Sequence, residues 1–135
     1  MRLGWTLFVL LALSTALCAG ECSFMRDMKW GMTQSEVKAA EQGEPLVEKD
    51  TIIGYAAQLD CADCNVFYTF TGGELDAVMW KLDITNASRF DQMMQDAFAG
   101  YTRANNPDGT VEYVRDDAYA QLERDGASAT LVIIP

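Results

Sequence analysis

Three runs in which every second residue is apolar, separated by turn-forming residues, occupy the middle of this chain. From Thr51 to Leu59, Ile53, Tyr55, Ala57 and Leu59 alternate with Ile52, Gly54, Ala56 and Gln58. From Asn65 to Thr71, Val66, Tyr68 and Phe70 alternate with Phe67 and Thr69, and further on Asp76, Val78, Trp80, Leu82 and Ile84 alternate with Ala77, Met79 and Lys81. Strand side chains point to opposite faces in turn, so a period of two commits this stretch to a half-buried antiparallel sheet. Gly72-Gly73 is the two-residue hairpin signal between the second and third runs. Thr110-Val114, Ala118-Arg124 and Ala127-Ile134 read as three more short strands, the last two joined at Asp125-Gly126, after a polar loop over Thr102-Gly109.

Two segments change to the helical period. Met32-Gly43 carries its own boundaries: Thr33 and Glu36 fit a capping box, Met32 and Val37 a hydrophobic staple, Gly43 the left-handed terminal position, and Pro45 forbids continuation. Farther on, Phe90, Met93, Met94, Ala97, Phe98 and Tyr101 fall on one face, with Asn86 or Ser88 as the cap. The expected class is therefore α+β, with two helix-plus-three-strand units whose helices pack on antiparallel sheet around a shared core of aromatics and methionines. Residues 30–135 form one domain, made of pseudo-repeats 30–84 and 85–135.

The N-terminus reads as an address. Arg2 is the only charge before Glu21 and precedes an apolar run from Trp5 through Leu13, the layout of a secretory signal peptide and too short to span a bilayer. Small residues permit cleavage after Ala16, giving a leader 1–16 and an arm 17–29, or after Ala19. The first leaves Cys18, Cys22, Cys61 and Cys64, an even set suited to an oxidising compartment. A lipoprotein reading places the lipid on Cys18, against which Leu17 is too large for the residue preceding the cysteine. The mature chain is expected to carry no transmembrane helix and to reach the periplasm, with the cell envelope or secretion as other destinations.

Charge and composition narrow the chemistry. The 135 residues include no histidine and carry a formal net charge of −10, which removes Ser-His and Cys-His nucleophile pairs and argues against nucleic acid. Cys61-Ala-Asp-Cys64 resembles a redox motif, yet it sits between strands rather than at a helix start, and Asp60 and Asp63 oppose thiolate formation. Structural disulfides tying Cys18 and Cys22 to Cys61 and Cys64 are the reading, ahead of a redox pair or a four-cysteine zinc site. Asn105-Gly109 misses the ends of a calcium loop and reads as a turn. Asp116-Asp117 reads as a solvated turn, and Asn86-Ala87-Ser88 matches a glycosylation acceptor.

Gly31-Met32-Thr33, Val37, Gly43 and Pro45 resemble the signature of the SmpA/OmlA group of small outer-membrane-assembly lipoproteins, over Trp30 to Leu82. The helix followed by a three-stranded meander is similar to the tandem units of the β-lactamase inhibitory protein. The resemblance implies a non-catalytic periplasmic binding scaffold. The function expected is accordingly an exported, non-catalytic binding or inhibitor-like scaffold whose acidic surface meets a basic protein partner, with no catalytic, cofactor or metal residues. Alternatives are an envelope assembly or quality-control factor, lipid-anchored in one version, and a Cys-x-x-Cys redox or zinc-binding protein.

Overall fold

The three alternating runs form one half of the sheet. In the computed structural model, which describes residues 23–135, they are β2 (Ile52–Leu59), β3 (Ala62–Thr71) and β4 (Glu74–Ile84), each antiparallel to the next. Gly72 and Gly73 take φ of 60° and 81°, the left-handed pair that a hairpin matching strand twist needs. Ahead of β2 lies β1 (Val47–Lys49), and beyond β4 come β5 (Thr102–Asn105), β6 (Val111–Arg115), β7 (Ala118–Asp125) and β8 (Ser128–Ile134). The helices are α1 (Gln34–Glu41) and α2 (Ala87–Ala97). The leader, Cys18 and Cys22 lie outside the described residues.

All eight strands belong to one antiparallel sheet in the order β1-β2-β3-β4-β8-β7-β6-β5. α2 carries the chain from the centre of the sheet to its far edge, and β5 to β8 wind back until β8 pairs with β4 from Val78↔Ile133 to Asp83↔Ser128. This overturns the expected α+β class of two helix-plus-three-strand units: the protein is mostly strand, about half of the described residues, in a single continuous sheet with two short helices. The β4–β8 ladder fuses what the pattern separates. Two strands also escaped the pattern, because β1 has three residues and every residue of β5 is exposed. Both are ordered by backbone pairing to a neighbour, which leaves no period of two to read.

The helix boundaries follow local chemistry. Thr33 caps α1, its hydroxyl accepting from Glu36 N while the Glu36 carboxylate accepts from Thr33 N, a complete capping box. The left-handed terminal residue is Gln42, with φ 61°, rather than Gly43. Asn86, not Ser88, caps α2 by accepting from Arg89 N, and Ser88 Oγ donates to the Asn86 side chain. Phe98 and Tyr101 continue the apolar period beyond the end of α2.

One face of the sheet is the core. Tyr55, Val66, Tyr68, Val78, Trp80, Leu82, Tyr113, Ala120, Leu122, Leu131 and Ile133 point into it, and Val37, Phe90, Met94 and Phe98 join them. The arm is part of this core: Phe24 and Met28 are buried, and Trp80 Nε1 donates to Phe24 O at 2.8 Å. An aromatic series crosses the molecule, Phe24 edge-on to Trp80 at 5.4 Å, stacked on Phe98 at 6.0 Å, and Phe98 stacked on Tyr113 at 4.4 Å. It connects β4, the arm, the end of α2 and β6. Phe98 is 4% exposed, so Phe98→Ala, measured by denaturant unfolding, should cost about 3–5 kcal/mol. A loss below about 0.5 kcal/mol would place the ring outside the core.

Candidate functional site

The cysteines were the first candidates. Cys61 lies in the two-residue turn between β2 and β3, while Cys64 lies within β3, opposite Ala57 and Leu82. Both thiols are buried and are not bonded to each other. Cys61 Sγ contacts Met93 Sδ at 3.8 Å, and Cys64 Sγ donates to Ala57 O at 3.4 Å. Burial is the main influence on each and pushes both thiols above their ordinary value. That is the opposite of what a thiolate nucleophile needs. Among the described residues no group of three or more His, Cys, Asp and Glu side chains is placed to hold a metal ion, and no helix is long and apolar enough to cross a membrane.

A buried charge cluster lies under α1. Glu41, whose side chain is 3% exposed, receives a bidentate pair from Arg26, Nε to Oε2 and Nη2 to Oε1, both at 2.8 Å. Tyr68 OH donates to the same carboxylate. Burial, and then this bond, push the Tyr68 phenol far above its ordinary value, so it stays a donor. Arg26 also lies over the Trp80 ring at 5.9 Å. Tyr55 OH, beside this cluster, is buried with no hydrogen-bond partner among the described residues. The chain reaches the clasp through two consecutive left-handed residues, Arg26 (φ 52°) and Asp27 (φ 65°), each costing on the order of 1 kcal/mol. Sequence reasoning missed the cluster because its members are scattered, although Glu41 stands four residues after Val37, on the buried stripe of α1.

Beside the arm is a groove of about 670 Å³. Met25, Met28, Trp30, Ala97, Tyr101 and Ile133 form its apolar lining, and Asp27, Lys29, Asp96, Arg115 and Asp117 stand around it. Arg115 lies over the Tyr101 ring at 4.6 Å and bonds Asp117 at 2.8 Å. The Asp116-Asp117 turn is solvated, as its sequence indicated.

Among the described residues, the side chains on the second face of the sheet stand outside the core. Register places Gly54, Phe67, Met79, Val132 and Gln121 side by side in one row across β2, β3, β4, β8 and β7. Phe67 lies so close over Gly54 that an added Cβ would come within 2.5 Å of its ring. Tyr119, Val114 and Ile134 extend the apolar side, the last two exposed. Toward the other end the face turns acidic: Gln58, Asp63, Asp83, Ser128 and Asp125 form a row, with Lys81 and Glu123 in the row between. Asp63 and Asp83 stand directly opposite one another, an arrangement that costs stability. The sequence held a signal for this face, since Phe67 and Met79 are apolar residues in the outward phase of their strands.

Two substitutions separate the clasp from its neighbour. Arg26→Met leaves Glu41 charged and buried without its cation and should cost about 3 kcal/mol in thermal or denaturant unfolding. Tyr55→Phe removes a polar atom that has no partner among the described residues, and should leave stability unchanged or raise it by about 1 kcal/mol. A destabilisation by Tyr55→Phe equal to that of Arg26→Met would contradict the assignment. Compared with known proteins, the chain matches no protein family, no curated protein and no solved structure.

Proposed function

We propose that this is an exported, non-catalytic binding scaffold that docks a basic protein partner on the open face of its sheet. The observation that carries the reading is the composition of that face, an apolar row from Phe67 through Met79 to Val132 and, beyond the row that holds Lys81, an acidic row in which Asp63 faces Asp83. Apolar area supplies affinity, and the carboxylates select charge and speed encounter. Size supports it as well. Eight strands at about 4.8 Å spacing and about seven residues long on average make a face of roughly 34 by 23 Å, close to one side of a standard interface of about 800 Å². A second copy of the chain is a poor occupant, because both would bring a net charge of −10. The export signal read in the sequence of residues 1–16 supports an encounter outside the cytoplasm.

A photo-crosslinking residue at Met79 tests the proposal in the source cells, with the same residue at Gln92, exposed on α2, as the control. A discrete protein adduct should form at Met79 and not at Gln92. It should be lost in high salt and in the double variant Asp63→Asn/Asp83→Asn. Equal adducts at both positions, or a Met79 adduct indifferent to salt and to both substitutions, would contradict the proposal.

A further inference from the structure

The groove beside the arm lies away from the open sheet face and is a second candidate for recognition. We infer that it accepts an arginine side chain of a polypeptide partner, with the methylene stem on Met25 and Met28 and the guanidinium toward Trp30 and the carboxylates of Asp27 and Asp96. The groove, about 670 Å³, sets apolar side chains beside five charged ones, room and chemistry for a long charged side chain. Its charge selects the sign of the ligand. Arg115 is bound to Asp117, so among the described charged groups of the groove Asp27 and Asp96 stand against Lys29.

Two observations narrow this to a guanidinium held by an anchored carboxylate. The wall of the groove already shows the arrangement once, in Arg115 lying over Tyr101 and paired with Asp117. Asp27 supplies the second. It adopts φ 65° next to Arg26 at 52°, a conformation that aspartate visits more readily than most side chains. Arg26 uses its side chain to bind Glu41. The Asp27 carboxylate makes no hydrogen bond or ion pair with a described residue, and the clasp fixes it at the edge of the groove.

The test follows the Trp30 indole N–H resonance of the isotope-labelled protein during titration with N-acetyl-Leu-Arg-Leu-amide. Peptides with Gln, Glu or Lys at the centre serve as controls. The arginine peptide should give a saturable shift, with affinity about tenfold above that of the glutamine peptide, and the glutamate peptide should give none. Asp27→Asn, which keeps a residue tolerant of the left-handed region, should weaken the arginine peptide several-fold with the unfolding midpoint unchanged. Asp63→Asn on the open sheet face should leave it unaltered, so that this inference and the proposed function fail separately. Equal affinity for the glutamine or lysine peptide, indifference to Asp27→Asn, or no shift at Trp30 would overturn the inference.

Discussion

A sheet of eight strands is about 34 Å wide, whereas helices of eight and eleven residues are about 12 and 16 Å long. Together with the arm they suffice to cover one face. This mismatch organises the molecule. Aromatic and aliphatic side chains collect on the face that Phe24, Val37, Phe90, Met94 and Phe98 close, and among the described residues the side chains of the other face stand outside that core. The covered side carries the stability, and the open side carries the proposed docking surface.

Covering even one face requires the arm to be held. Phe24 is placed over Trp80 and Phe98, and Arg26 reaches Glu41 under α1. A buried ion pair is a weak source of net stability, because desolvation offsets most of the attraction. Its use here is positional: a carboxylate that accepts three bonds, two from Arg26 and one from Tyr68, fixes the path of the chain through two left-handed residues. That path also sets one wall of the groove that Met25 and Asp27 line.

Much of the secondary structure was legible because it is local. The alternation in 51–84, the Gly72-Gly73 hairpin and the capping box at Thr33 each specify their own geometry. Sheet connectivity was not. That β8 returns to β4, making one sheet of the two halves, depends on pairing between residues about fifty positions apart, and period-two patterns carry no record of which strand is the neighbour. β5 went unrecognised for a related reason, since an exposed edge strand has no buried phase. The candidate surfaces were visible only in part. Phe67 and Met79 broke the polar phase of their strands, but the meeting of Asp63 with Asp83 needed the register.

If the open face is shaped for a partner and not for the fold, the cross-strand pair at its acidic end should cost the free protein stability. The direct measurement is the thermal midpoint of Asp83→Lys against the parent at low salt. Replacing a like-charge pair by an attractive one should stabilise the protein by about 0.2–1 kcal/mol, with the gain shrinking as salt rises, while adduct formation from Met79 is lost. A lower midpoint for Asp83→Lys would show that the fold depends on Asp83 and would contradict the account.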